Sequence, residues 1–501
     1  MNRPRLHLDW SQTHVLIVWL AVGIFLSGGP VRITFAEEEE DYYQLITLPV
    51  PSGLVLEVSG VADLGDGRIA VSTRRGDIWI VENAFETDLS LLKYTRFATA
   101  LHEPLGLIWH QGAFYVAQRS ELTRIRDLDG DGKADEYIAL AKGWSVSGNY
   151  HEYAFGPKLD PDGNFWVTLN ARFGRSDAAV NTWRGWGVKI SPRGKLVPIC
   201  AGMRTPAGVG ANAAGDMFFT DQQGNWVGGN KLGLLEEGTF HGHVQSLDST
   251  SLPESPLAHP GTVPQGKTVV EAARLMPTFR LPAVWFPYEK VGRSMTDIVC
   301  DQTGGRFGPF SGQLFIGEFV QSGIVRVYLE KVRGVYQGAC FRFRGGFQCG
   351  VLRLGWGRDG SLFAGETNRG WNSRGPRSYG LERLVWTGQT PFEVRTMEAR
   401  RQGFRLTFTQ PVETVSAERP ESYSMRSYTY LYQERYGSAE VDVEEPTVTG
   451  ARVHSDGRTV DLDVSGLRAG YVHELLLTGV RSRDLRPLLH PEAYYTLNRI
   501  P

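Results

Sequence analysis

Pro161-Asp162-Gly163-Asn164-Phe165-Trp166-Val167-Thr168 is a turn followed by a strand. Pro-Asp-Gly pre-sets the turn, and Phe-Trp-Val-Thr is made of residues that suit a pleated, packed segment. Just upstream, Gly148-Asn149-Tyr150-His151-Glu152-Tyr153-Ala154-Phe155-Gly156-Pro157 puts a histidine ahead of the strand that enters this turn. In a radial array of sheets, that position opens onto the central mouth. The phrase recurs at Asp66-Gly67-Arg-Ile-Ala-Val-Ser, Gln111-Gly112-Ala-Phe-Tyr-Val-Ala, Ala214-Gly215-Asp-Met-Phe-Phe-Thr, Ser311-Gly312-Gln-Leu-Phe-Ile-Gly and Asp359-Gly360-Ser-Leu-Phe-Ala-Gly.

The phrase glycines (67, 112, 163, 215, 312 and 360) are separated by 45, 51, 52, 97 and 48 residues. A period near fifty, with several strands per repeat, is the pattern of β-propeller blades. A second strand follows in several repeats, as at Ile78-Trp-Ile-Val, Leu122-Thr-Arg-Ile and Ile324-Val-Arg-Val. Six occurrences predict six blades. The interval of 97 is read as one blade with a long insertion, because residues 251 to 287 are proline-rich and loop-like; a seventh, degenerate blade is the alternative. A series of sandwiches with coincidental turns does not explain the near-constant period. After Trp386 the phrase disappears, and Gly403-Phe-Arg-Leu-Thr-Phe-Thr, Thr459-Val-Asp-Leu-Asp-Val and His473-Glu-Leu-Leu-Leu-Thr alternate as short strands. The expected fold is therefore all-β: a six-bladed β-propeller over 42–388, followed by an immunoglobulin-like β-sandwich over 396–501. The sandwich carries no catalytic constellation, so packing or partner binding is its expected role.

A chain of 501 residues is long enough for more than one core, and its 59 glycines suit many tight turns. A net charge of −2 argues against nucleic acid as a partner. Arg3 and Arg5, the apolar run Val15 to Leu26, and small residues ending at Ala36 form a signal-peptide pattern over 1–36, which implies a secreted or periplasmic protein; an uncleaved anchor is the alternative. No later segment is long and apolar enough to span a membrane. Export permits disulfides among Cys200, Cys300, Cys340 and Cys349, and the spacing favours a local Cys340–Cys349 bridge, although four cysteines allow three pairings. No haem-attachment motif occurs.

Several constellations can carry chemistry. Asp127, Asp129, Asp131 and Asp135, with Gly132 at the sixth position, follow the first part of a calcium loop; Ile138 stands where an EF-hand has its glutamate. The competing reading is an Asp/Gly turn held by its own hydrogen bonds. His151 suits a general base, though a lone histidine more often serves structure. His241 and His243 are spaced to share a strand face and a metal, without a visible third ligand. Arg204 precedes the fourth phrase as His151 precedes the third, so both are expected on one rim. Asp221, Asn225, Trp226 and Lys231 follow in a Gly-rich loop suited to polar ligand contacts, with Asn170 beside them. Arg342, Arg344 and Arg353 cluster before the sixth phrase, either as a ligand site or as a salt-bridged edge.

His151-x-x-x-Phe-Gly-Pro and Gly202-x-Arg204-x-Pro-x-Gly208, with weaker support from Trp285-Phe-Pro287, resemble the soluble quinoprotein glucose and sorbosone dehydrogenase family over about residues 50–386. The chain also resembles large secreted propeller proteins of planctomycete-type bacteria. The resemblance implies pyrroloquinoline quinone (PQQ) as cofactor, beside the calcium read from the acidic loop, a sugar or related alcohol as substrate, and a separate c-type cytochrome as electron acceptor. It gives His151 the role of base and Arg204, Trp285, Arg342, Arg344 and Arg353 that of quinone contacts. Leu169-Asn170-Ala171 stands where the family has an acid, Gln321-Ser322 where it has a lysine, and Thr205 where it has an asparagine. Two classes of function follow: a PQQ-dependent sugar dehydrogenase, or a non-catalytic propeller that binds carbohydrate or a protein. A calcium-dependent lactonase-like hydrolase is a distant third, because the acidic loop is not axial.

Overall fold

A computed structural model describes residues 38–174 and 182–501. The expected signal segment lies outside them. Among the described residues, no helix is long and apolar enough to cross a membrane.

Each recurring phrase forms the second strand of a four-stranded antiparallel unit. The first unit is Val58–Asp63, Ile69–Thr73, Ile78–Glu82 and Lys93–Ala98; the second runs from Ile108–His110 to Glu136–Lys142, and the third from Ala154–Leu159 to Leu196–Ala201. All six phrase glycines have positive φ, from 73° to 101°, so each turn uses the backbone region that glycine enters most cheaply. The strands that follow are buried on both faces, and Phe165, Val167 and Leu169 enter the largest apolar cluster. The fourth unit is Gly208–Ala211, Met217–Asp221, Asn230–Leu234 and Val284–Phe286. The 97-residue interval is thus an insertion between the third and fourth strands of one sheet. It contains the 3-10 segment Val244–Ser251 and the helix Val269–Leu275, which starts at a Thr268/Glu271 capping box.

The fifth unit is Met295–Cys300, Leu314–Glu318, Gly323–Val332 and Val335–Arg344. The sixth has three local strands, Val351–Trp356, Leu362–Thr367 and Tyr379–Trp386, and takes its fourth, Tyr43–Thr47, from the N-terminal end of the described chain. First strands adjoin from sheet to sheet, except that Ala154–Leu159 meets the second unit through Ala113–Ala117, and Val58–Asp63 packs against Val351–Trp356, so the first and last units are neighbours.

The C-terminal strands form two sheets around their own apolar core. One of these sheets is not separate: Glu492–Leu497 pairs with Val335–Arg344 and extends the fifth unit to eight strands. Tyr428, Tyr430 and Tyr432 join the main cluster. The C-terminal region is therefore built into the repeats rather than tethered beside them. All four cysteines are free thiols, which corrects the expected Cys340–Cys349 bridge: Cys340 lies mid-strand with Sγ toward the Trp285 carbonyl, whereas Cys349 faces Ser373.

Candidate functional site

Two equivalent loops bring His151 and Arg204 together. Asp221, fully buried at the end of its strand, accepts the backbone N–H groups of Arg204 (3.1 Å) and Thr205 (2.7 Å) and so fixes the loop that presents them. Glu318 plays the same part in the fifth unit, accepting the N–H groups of Arg293 and Ser294. Lys231 completes this framework, 3.7 Å from Asp221 and donating to the His241 carbonyl. Asp221 and Lys231 were expected as ligand contacts; they are buried scaffold.

The His151 side chain is 1% exposed. Its Nδ1–H donates to the Ala171 carbonyl (2.7 Å), and its Nε2 accepts from the Thr205 hydroxyl (3.1 Å) and faces the Asn170 amide (3.4 Å). The Thr205 hydroxyl in turn accepts from Arg204 Nη1 (3.0 Å). Phe173 lies flat on the imidazole, with ring centroids 3.7 Å apart and planes 13° apart, and also packs against the Arg204 guanidinium at 4.7 Å and, edge to face, against Tyr150 at 5.4 Å. Asn149 holds this arrangement from behind: its Oδ1 accepts from His151 N and Phe173 N, and its Nδ2 donates to the Phe173 carbonyl. Burial, aided by the Arg204 charge, pushes His151 down to about 3.

The stack ends on a residue of the C-terminal region. Tyr436 covers Arg204 at 5.0 Å. Its loop is sewn to the fourth unit by backbone bonds from Trp226 N to the Gln433 carbonyl (2.9 Å) and from Gly437 N to the Gly224 carbonyl (2.9 Å), and by Asn225 Nδ2 to the Glu434 carbonyl (2.8 Å). Sequence reasoning missed Phe173 and Tyr436. Phe173 follows the third phrase by only a few residues and had a local signal; Tyr436 had none.

Two spaces flank the stack. One is lined in common by all six units, including Arg74, Leu105, Tyr153, Thr205, Phe319 and Trp371, and has a volume of about 30 Å³. That is room for no more than a few waters. The other is an open cleft of about 500 Å³ between Arg204, Phe173, Asn225, Trp226, His243 and Glu434. Ligand pockets are usually about 300–1,000 Å³.

The remaining expected contacts lie elsewhere. Trp285 sits on the outermost strand of the fourth unit, packed in a tilted arrangement against Tyr430 at 4.8 Å, facing the C-terminal region. Arg342 is exposed and donates to the Lys290 carbonyl; Arg344 is buried against Tyr43, Gly345 and Glu39. Arg353 is central but fully engaged by backbone carbonyls. His241 and His243 line different cavities and share no face. Among the described residues, the one group of three or more acidic or metal-ligating side chains is Asp127, Asp129 and Asp135, with ligand atoms within 4.8 Å of one another. Asp131 is outside it, accepting instead from Lys133 N.

A family model described as a domain of unknown function (DUF7133) matches residues 66–280. No curated protein matches by sequence. Among solved structures, an oxidoreductase (glucose dehydrogenase) from Thermus thermophilus aligns with TM-score 0.50 at 18% identity, over 68% of this chain and 100% of that one. The chain has the fold of the soluble glucose dehydrogenases. A PQQ-bound aldose sugar dehydrogenase from Streptomyces coelicolor aligns less closely, with TM-score 0.46 at 12% identity, over 68% of this chain and 98% of that one. A Trichoderma reesei carbohydrate-active enzyme of family AA12 aligns with TM-score 0.49 at 13% identity, over 72% and 100%. At these identities the likeness speaks for the glucose dehydrogenase fold alone.

The residues present do not fit the quinone that this fold suggests. The space common to the six units has room for no more than a few waters, Phe173 occupies the face of His151, and the Nε2 lone pair is already committed. Lys231 and Lys290 do not replace the missing lysine: Lys231 is held by Asp221, and Lys290 is paired with Glu440 and Glu474.

Proposed function

We propose that this chain is an exported, six-bladed sugar-dehydrogenase-like propeller with an immunoglobulin-like sandwich, whose mouth binds a saccharide without oxidising it. The observation that carries this reading is the His151–Phe173–Arg204–Tyr436 stack beside an open cleft. Burial disfavours the protonated His151 and its Nε2 already accepts from the Thr205 hydroxyl, which makes it a poor proton acceptor for a sugar hydroxyl, whereas exposed aromatic faces beside amide and charged groups suit saccharide rings. Tyr150 is 59% exposed and Tyr436 63%, so both present ring surface at this rim. The dehydrogenase reading keeps one observation in its favour, the convergence of His151 and Arg204, and it alone calls for a c-type cytochrome partner.

The full chain is titrated calorimetrically with PQQ, with and without calcium, and with a panel of aldoses and oligosaccharides, while dye reduction is followed. Saccharide binding without quinone binding or dye reduction is expected. Stoichiometric PQQ uptake with aldose-dependent dye reduction would sink the reading.

We further propose that Asp127, Asp129 and Asp135 hold calcium in the loop between the outer two strands of the second unit. Hard cations gather carboxylate oxygens at short range, and these three already converge. Calcium at a hundredfold excess over its Kd should stabilise the fold by about 2.7 kcal/mol, read as a rise in Tm that Asp135→Asn abolishes. An unchanged Tm would mean that the loop is held by its own bonds, such as Gly130 N and Gly132 N to Asp127.

A further inference from the structure

The cleft beside the stack has a chemistry more specific than saccharide binding. Arg204 is 6% exposed and makes no ion pair among the described residues; Asp221, the nearest acid in its framework, is used on backbone N–H groups and Lys231. Among the described residues, only Nη1 of its guanidinium is engaged, by Thr205 and the Gln223 carbonyl. The aromatic rings of Phe173 and Tyr436 both pack against the guanidinium, at 4.7 Å and 5.0 Å, so its remaining N–H edge is what meets a ligand. A buried, uncompensated guanidinium with a free fork matches a carboxylate, which accepts two parallel N–H bonds.

A second group on the same cleft asks for something different. His243 is 6% exposed, and its Nδ1–H donates to the Asn225 carbonyl at 3.0 Å, which leaves Nε2 as an acceptor. That Nε2 is buried and makes no close hydrogen bond among the described residues, although the Gln245 side chain, also on the cleft, interacts with the ring. Buried polar atoms are rarely left unpaired, so the orphan marks a place for a donor. Burial pushes the ring down to about 4, so at neutral pH it accepts and does not donate beyond Nδ1.

Resting on the saccharide reading above, we infer that the cleft takes a sugar acid, a hydroxylated ring bearing a carboxylate. The carboxylate meets the Arg204 fork, a ring hydroxyl donates to His243 Nε2, and Tyr436 and Trp226 offer apolar ring surface. Glu434, also on the lining, suits a further hydroxyl donor and disfavours a second negative charge. This gives the C-terminal region a role in the site, since Glu434 and Tyr436 both come from its loop.

The test is calorimetric titration of the full chain with galacturonate and glucuronate, against galactose, glucose and succinate. The uronates should bind at least tenfold more tightly than the neutral sugars and than succinate. Arg204→Gln should erase the preference for the acid, while Arg204→Lys, which keeps charge but loses the fork, should restore only part of it. His243→Phe should weaken uronates and neutral sugars alike. Unfolding midpoints of the variants identify any that fail to fold. Equal binding of galactose and galacturonate would overturn the sugar-acid assignment and leave the saccharide reading standing. Succinate competing as well as glucuronate would overturn the hydroxyl contact. Absence of binding by any saccharide to the folded chain would overturn both.

Discussion

Replacing Arg353 by methionine lowers the free energy of unfolding by about 4 kcal/mol. Arg353 stands on the first strand of the sixth unit, 3% exposed. Its Nε reaches the Ser59 carbonyl at 3.2 Å, Nη1 reaches Ala207 at 2.9 Å and Leu352 at 2.7 Å, and Nη2 reaches Leu105 at 3.1 Å. One side chain thus ties the sixth unit to the first strand of the first and to loops leading into the second and fourth. Burial pulls its pKa down to about 10, still charged at neutral pH. Methionine fills much of the volume but leaves several carbonyls unpaired in a dry interior. Lysine reaches fewer of them and should recover only part of the loss. Urea unfolding midpoints at constant m-value measure it, and a loss below about 1 kcal/mol would show that the ring does not depend on this tie.

The second large effect is a fall in stability at alkaline pH. His490, 8% exposed, bridges two carboxylates: Nδ1 to Glu393 at 2.6 Å and Nε2 to Glu39 at 2.9 Å. Burial alone would depress its pKa, but Glu393 and Glu39 outweigh this and push it up to about 9. The folded value lies above the unfolded value near 6.5, so the protonated ring favours the folded state. Its contribution, on the order of 3 kcal/mol, is complete below about pH 6.5 and is lost as pH rises through 9. Glu39 runs the other way: held low by His490, the Gly345 N–H and Arg344 against the opposing effect of burial, it loses its contribution as pH falls. Stability should therefore be greatest between these limits. His490→Gln should flatten the alkaline slope; an unchanged slope would assign it to other groups. The bridge also locks the short helix Glu39–Tyr42, and with it the closing strand Tyr43–Thr47, to the C-terminal region.

The repeats were legible because each phrase is local: a turn glycine with positive φ and a strand that follows it at once. The insertion was legible for the same reason, since proline-rich sequence interrupts the period. The strand that completes the sixth unit was not, because Tyr43–Thr47 carries no phrase glycine and pairs with residues more than three hundred positions away. The site divided along the same line. His151 and Arg204 precede equivalent strands, and the packing of the third unit against the fourth brings them to one place. Phe173, Tyr436 and His243 act through contacts that period does not encode. Arg353 was misread as a cofactor contact because an arginine beside a strand looks the same in sequence whether it faces a ligand or backbone carbonyls. The cysteines misled similarly: closeness in sequence placed Cys340 and Cys349 nine residues apart, but strand direction separates their side chains.

The central claim is that His151 serves packing and not proton transfer. Its imidazole pKa, followed by NMR of the ring carbon–proton pairs and assigned among the 11 histidines with His151→Gln, tests that claim most directly. The account predicts a resonance that does not titrate between pH 5 and 8, consistent with a pKa of about 3. A midpoint near 6.5, the ordinary value for an accessible histidine, would contradict it.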